Sequence, residues 1–221
     1  MAYGIKVEVW GDRALFTRPE LKVERYSYDV ITPSAARGLI EAIYWHPGLK
    51  YIIDRIHVLN PIMFTSVRRN EIKSKCSASK IKEEISKGVP VSSLSARDDI
   101  TQRSSRILIN VHYVIEAHFE LTDKATSSDN EGKFKGILER RLKKGQCFHS
   151  PYFGTREFPA NFDLYQSKTP PQGYYSETQE KDLGLMLYDM DYSDCNNITP
   201  MFYRAFMRNG VIDVAKSRVI L

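Results

Sequence analysis

Cysteine is scarce in this chain, long apolar runs are missing, and so are the short motifs that mark the commonest cofactor sites. Only three cysteines occur in 221 residues, Cys76, Cys147 and Cys195, and no two form a Cys-x-x-Cys pair. That spacing argues against a zinc knuckle or a thioredoxin-type centre. An odd number of cysteines without a secretory signal reads as free thiols in a reducing compartment, so a cytoplasmic protein is expected. No apolar run approaches the ~20 residues of a membrane-spanning helix, and no membrane partner is expected. There is no Gly-x-Ser-x-Gly elbow, Walker loop, dinucleotide fingerprint or fixed-period repeat. Neither a cofactor nor a bound metal is expected.

What is present is a modest excess of positive charge and many flat side chains. The net charge is +5 and the pI about 9.0, which favours an anionic partner where the charge is gathered on one face. Thirteen tyrosines and ten phenylalanines offer faces on which unpaired bases stack, although both residues also fill cores. The charge gathers in Asp129–Gly145. Phe134, Ile137, Leu138 and Leu142 fall at i, i+3, i+4 and i+8, one apolar stripe of an amphipathic helix. Asp129 is the expected N-terminal cap and Gly145 the left-handed residue that closes the helix. Lys133, Lys135, Arg140, Arg141, Lys143 and Lys144 stand around the stripe. A helix that docks by one face and shows cations elsewhere suits a polyanion. The plainer reading is a solvated surface whose last-turn cations complement the dipole.

Along the chain, Tyr3–Trp10 alternates as a half-buried strand. Thr32-Pro33 opens a helix with Leu39, Ile40 and Ile43 as its buried stripe, and His46-Pro47-Gly48 ends it. Strands are predicted over Tyr51–Leu59, Ile62–Val67 and Ile107–Leu121, the last with its odd-numbered apolar residues all facing one way. Residues 70–100, rich in Lys, Ser and Glu, are expected to form a mobile basic insertion with one short helix over Ser79–Lys87. A final strand is placed within Phe148–Phe158. This βαββαβ order predicts an α+β protein: a ferredoxin-like (RRM-like) domain over residues 1–158. Residues 159–221 read as a small antiparallel β subdomain, with strands Leu183–Tyr192 and Pro200–Arg208 and a hairpin turn at Asn209-Gly210.

Metal-free cleavage of RNA needs a group to activate the ribose 2′-OH and a cation for the crowded phosphate. Lys133 lies at the N-terminal end of the basic helix, where the dipole also favours an anion. Tyr44 follows Ile40 by four residues and is either another packed aromatic or a group that directs the hydroxyl. With a reference pKa of about 10 it is a poor base unless a nearby ammonium lowers that value. Phe153-Gly-Thr-Arg-Glu157 joins Gly154, which lets a backbone come close, to Arg156, which either grips phosphate or pairs with Glu157. His112, Glu116 and His118 share the polar face of the long strand. A rise of ~3.4 Å per residue sets the two histidines roughly 20 Å apart, too far to share one ion.

Four segments in order carry a family resemblance: Trp10-Gly-Asp-Arg-Ala-Leu-Phe-Thr17, Glu41-Ala-Ile-Tyr-Trp45, Asn130-Glu-Gly-Lys133 and Phe153-Gly-Thr-Arg-Glu157. Together they resemble the CRISPR-associated RAMP-superfamily proteins of subtype I-C systems that process precursor crRNA. The resemblance implies a ferredoxin-like domain with a β-rich extension. It also implies a metal-independent endoribonuclease that cuts the repeat hairpin by 2′-OH attack, leaving a 2′,3′-cyclic phosphate. Retention of the crRNA 5′ handle in an interference complex is implied as well. Precursor crRNA, mature crRNA and the other subunits of that complex are therefore the expected partners. The family's catalytic tyrosine and lysine match Tyr44 and Lys133. Some members carry a catalytic histidine directly after that lysine, where this chain has Phe134. His46, His149 and His118 are the candidates to protonate the leaving oxygen, and His46 is preferred because it sits at the end of the helix that carries Tyr44. Lys135, Arg140, Arg141, Lys144, Gly154 and Arg156 are expected to hold the RNA. The alternative, kept open by Phe134, is a non-catalytic subunit that binds the crRNA handle or duplex nucleic acid.

Overall fold

Long alternating strands dominate the computed structural model, which describes residues 4–21, 23–194 and 196–220. The strand start expected at Tyr3 and the third cysteine, Cys195, lie outside the described residues. Strand β1 (Gly4–Ala14) buries Ile5, Val7 and Val9 and turns Lys6 and Glu8 to the other face. Helix α1 (Pro33–Ile43) begins as its sequence dictates. Thr32 Oγ1 accepts from the Ala35 N–H at 3.2 Å, and Pro33 fills a first-turn position that needs no donor. There follow β2 (Leu49–Val58), β3 (Met63–Ile72), the short α2 (Ala78–Ser86), β4 (Ile100–Leu121), α3 (Glu131–Lys143) and β5 (Asn161–Leu164). Strands β6 (Lys181–Asp191), β7 (Thr199–Arg208), β8 (Val211–Asp213) and β9 (Val219–Ile220) complete the described chain.

The result is a mixed α/β protein with an antiparallel sheet in the order β5-β1-β4-β2-β8-β7-β6, with β3 added to β4 and β9 to β7. Every pairing between these strands is antiparallel. Helices α1 and α3 cover one face. Leu39, Ile40 and Ile43 of α1 and Phe134, Leu138 and Leu142 of α3 enter one apolar core with Ile5, Val7, Tyr51, Ile53, Ala117 and Phe119. Each such side chain contributes roughly 1.5–3 kcal/mol on burial. The C-terminal strands continue this sheet through β8, which pairs with β2 from Arg55↔Asp213 to His57↔Val211. The Asn209-Gly210 turn has φ of 50° and 78°, the paired positive angles that an Asn-Gly hairpin supplies.

Three expectations are corrected. The strand placed within Phe148–Phe158 is instead Asn161–Leu164, because 148–158 is tied to other elements by single backbone bonds. Residues 70–100 hold the expected short helix, α2, but the strands that flank them are longer than expected. β3 runs past Val67 to Ile72, and its pairing with β4 extends from Met63↔Ile109 to Ile72↔Ile100. Polar side chains on both faces of this β3–β4 arm erase the period-two signal. The alternation of β4 breaks once, at Asn110 (φ 51°), so that Leu108 and Val111 both face the core while Ile109 is only half-buried and Leu121 is exposed. Cys76 and Cys147 are free and exposed, and among the described residues no helix is long and apolar enough to cross a membrane.

On the face away from the helices, the polar residues of β4 each take a separate partner. His112 Nε2 meets Glu8 at 2.8 Å and His118 Nδ1 meets Asp54 at 2.9 Å. Glu116 lies 3.1 Å from His57 Nε2 and 2.7 Å from Lys6 Nζ. The hydrogen bond from His57, helped by Lys6 and opposed by burial, holds the Glu116 carboxyl down to about 2. A depressed folded-state value means that this stability is present above about 4.5 and is lost as pH falls toward 2. Glu116→Gln should therefore be less stable than the unaltered chain at neutral pH and lose less stability between pH 5 and pH 2, measured by denaturant unfolding followed by circular dichroism at each pH. An acid limb of unchanged shape would disprove the assignment.

Candidate functional site

The end of α1 is where the two helices of the core meet. Tyr44 is the first residue past the last turn. Its backbone is extended (φ −149°, ψ 122°), although its N–H still donates to Ile40 O at 3.0 Å. The open carbonyls of this helix end are satisfied from outside. Arg141 of α3 donates to Ile43 O at 2.7 Å, and the Tyr51 hydroxyl donates to Tyr44 O at 2.8 Å. The Arg141 guanidinium then lies 5.1 Å from the centre of the Tyr44 ring, within cation–π reach.

Phe134 is fully buried and forms the floor beneath this corner. Its ring centre is 6.3 Å from that of Tyr44 and 5.0 Å from that of His46. His46 Nδ1 accepts from the Gly48 N–H at 3.1 Å, so a neutral ring carries its proton on Nε2. Lys133, one residue before Phe134, stands at the N-terminal end of α3. The cap there is Asn130 rather than the expected Asp129: Asn130 Oδ1 accepts from the Lys133 N–H at 2.8 Å. Asp129 has closer donors behind it. Its buried carboxylate accepts from the Thr126 N–H at 2.9 Å, the Thr126 hydroxyl at 2.8 Å and Lys133 Nζ at 2.9 Å. These bonds, that of Lys133 first, hold the Asp129 carboxyl far below the usual carboxylate range.

The Tyr44 phenol is pushed up by burial. Arg141 and then Lys133 act against that shift, and Asp129 adds to it. At neutral pH Tyr44 is thus an un-ionised hydroxyl, able to orient a neighbouring group by hydrogen bonding but not a standing base. The corner combines that hydroxyl, a fixed ammonium, a guanidinium and an imidazole N–H. Such a set suits a reaction that builds negative charge on phosphate oxygens.

The remaining candidates divide. Lys135 is 3.8 Å from Glu139, while Arg140, Lys143 and Lys144 have no ion-pair partner among the described residues. Glu157 pairs with Arg69 of β3, not with Arg156, and Arg156 is exposed without an ion-pair partner among the described residues. Gly154 (φ 81°) lies against the Leu15 carbonyl, which an added Cβ would overlap. Its glycine serves the approach of the chain to itself. His149 is exposed and stands beside Phe148 (ring centres 4.4 Å apart), and His118 is held by Asp54 on the opposite face of the sheet. Sequence reasoning missed the double role of Arg141 as cap and ring partner. Nothing in its spacing signals that role, because the acceptor belongs to a residue 98 positions away.

A family model described as CRISPR-associated protein (Cas_Cas5), of the Cas5d type, matches residues 4–215. The chain is 50% identical over 217 residues to a CRISPR pre-crRNA endoribonuclease Cas5d of Mannheimia succiniciproducens, covering 97% of this chain and 96% of that one. Among solved structures, a CRISPR-associated protein matches with a TM-score of 0.70 at 24% identity, covering 100% of this chain and 97% of the other. A chain of a CRISPR RNA-guided surveillance complex matches with a TM-score of 0.51 at 10% identity, over 99% and 89%.

The Gly154 geometry carries a prediction. Gly154→Ala should destabilise the fold by about 2 kcal/mol or more, seen as a Tm lower by roughly 4–8 °C in thermal unfolding. Gly184 shares a positive φ (76°) but has open space around it, so Gly184→Ala should cost only about 1 kcal/mol. Equal losses would show that the contact with Leu15 does not matter.

Proposed function

Because the chain belongs to the CRISPR-associated Cas5 family, in its Cas5d branch, we propose that it is a metal-independent endoribonuclease for precursor crRNA. It cuts repeat hairpins by 2′-OH attack and keeps the crRNA 5′ handle as a subunit of an interference complex. The observation that carries the reading is the convergence of Tyr44, His46 and Arg141 on the corner floored by Phe134, with Lys133 at its edge.

Tyr44 aligns the 2′-OH, whose oxygen attacks phosphorus while its proton passes to water. Lys133, fixed by Asp129, stabilises the negative phosphorane, and Arg141 adds a second cation. The P–O5′ bond then breaks. His46 donates a hydrogen bond from Nε2 to the departing oxygen, which takes its proton from water. Full proton transfer from an imidazolium requires loss of the Gly48 N–H bond to Nδ1. On the Phe134 ring, His46 fills the role that a histidine after the lysine would otherwise have. Lys135, Arg140, Lys144 and Arg156 hold the RNA backbone, and Gly154 brings its loop close. The sheet order β5-β1-β4-β2 with α1 and α3 on one face supports a ferredoxin-like domain, with β6 to β9 as its extension. The likeness to a chain of a surveillance complex supports crRNA and other complex subunits as partners. Exposed free thiols fit a cytoplasmic protein.

The test is single-turnover cleavage of a labelled repeat hairpin in excess EDTA, with binding measured separately. Lys133→Ala and Tyr44→Phe should each slow cleavage by roughly 10²–10³-fold while binding persists, and His46→Ala should slow it by about 10-fold or more. Tight binding without any cut by the unaltered chain would instead support a handle-binding subunit, the reading that Phe134 favours.

A further inference from the structure

Beside the catalytic corner lies a groove of about 850 Å³ that the chemistry above does not use. That is ample for a nucleobase, as ligand sites of roughly 300–1,000 Å³ go. One wall is the outer side of α1, kept low by Gly38 and Ala42, and the other is the segment from Phe148 to Pro159. Three large aromatic residues line it, each left well open by the described residues: Trp45 is 57% exposed, Phe148 68% and Tyr152 40%. The backbone that carries two of them is held in place. The N–H groups of Phe148 and His149 both donate to Ala42 O, at 3.0 and 2.9 Å, which staples Phe148 to the end of α1. Trp45 sits between Tyr44 and His46, whose backbones are tied by the Tyr51 hydroxyl and the Leu49 N–H. The backbone that carries these rings therefore needs little further ordering on binding.

Charge distinguishes this groove from a protein-docking face. Arg156 lines it and has no ion-pair partner among the described residues, and Phe148 also borders a second depression lined by Arg140 and Arg141. Flat rings alternating with open cations are the pattern of single-strand nucleic-acid sites, whereas the centre of a protein interface is depleted of charge. The place matters too. Trp45 directly follows Tyr44, and in-line attack by a 2′-OH requires the reacting nucleotide to leave the stacked A-form arrangement. A base unstacked at the cut needs a new face to lie on.

We infer that the groove is a base-stacking subsite, in which Trp45 and Phe148 receive unstacked nucleobases of the RNA beside the reacting phosphate, and Arg156 meets their backbone. Glu41, the one acidic residue among the described residues that line the groove, lies 3.6 Å from Arg37 Nε and has a second carboxylate oxygen for an exocyclic amino group. The inference rests on the ribonuclease reading of the adjoining corner, and its test is separable from that reading.

The chain has two tryptophans, so a Trp10→Phe background leaves Trp45 as the sole reporter. It is titrated with repeat RNA made uncleavable by 2′-deoxy sugars through its unpaired nucleotides, with single abasic sites walked along those nucleotides. Binding should quench Trp45 emission. At one or two positions an abasic site should abolish the quenching and weaken binding about 5- to 100-fold. Trp45→Ala and Phe148→Ala should weaken intact RNA by a similar factor but leave that abasic RNA unaffected, and Trp45→Phe should keep most of the affinity. Quenching that no abasic site alters, or variants that weaken intact and abasic RNA equally, would overturn the subsite. So would Trp45→Ala that binds RNA normally but fails to join other complex subunits, which would assign the groove to a protein. Base-dependent quenching by a chain that never cuts native RNA would uphold the subsite and sink the cleavage reading. Normal cutting without base-dependent quenching would do the reverse.

Discussion

The burial of one phenylalanine ring sets the geometry of everything around the corner where α1 and α3 meet. Phe134 is the first anchor of the apolar stripe by which α3 docks, and Tyr44 and His46 both rest on its ring. Once Phe134, Leu138 and Leu142 are seated, helical periodicity determines where the cations go. Lys133 emerges at the N-terminal end, and Arg141 emerges two turns later, roughly 12 Å along the axis, against the end of α1. Arg141 then does three things at once: it satisfies the Ile43 carbonyl, covers the Tyr44 ring and places a charge there. A helix end and the Tyr44 ring are thus held by the same guanidinium.

The electrostatics of the corner are a compromise. A lone ammonium would give the strongest field toward a phosphate, but it would also wander. Asp129 weakens that field and in exchange fixes Lys133, and its other acceptor capacity is filled by Thr126, so the buried carboxylate is not left dependent on the lysine alone. Tyr44 has the opposite balance: burial raises its phenol, and the two cations only partly offset that. The corner therefore offers hydrogen bonds and fixed positive charge, with no strong resident base.

Those parts of the fold governed by local rules were legible in the sequence. Thr32-Pro33 capped α1, the stripe of α3 packed as spaced, Gly145 (φ 61°) closed that helix, and Asn209-Gly210 turned its hairpin. What failed depended on partners far along the chain. The β3–β4 arm is polar on both faces, so only its backbone pairing reveals it. β5 is four residues long and forms only because the edge of β1 accepts it. Asp129 and Asn130 are neighbours of equal capping ability, and the choice between them was decided by Thr126 and Lys133 competing for the aspartate. At the corner, the places of Tyr44 at the end of α1 and Lys133 at the start of α3 were readable, but the pairing of Arg141 with Ile43 was not.

The same contrast explains how the corner accommodates Phe134. A histidine at that position would have to keep one face in the apolar core while offering a nitrogen to the leaving oxygen, a demand that sets desolvation against proton transfer. In the proposed site the two duties are divided between residues. Phe134 meets the packing demand fully, and His46, stacked on it from the loop after α1, presents an imidazole N–H at the half-buried edge of the corner. The division has a physical cost and a benefit. His46 is positioned by a single Gly48 N–H bond and one ring contact, so it is held less firmly than a residue on a helix. In return the docking of α3 no longer depends on the protonation of a core imidazole, and Lys133 and Arg141 keep their places across the pH range in which a histidine changes charge.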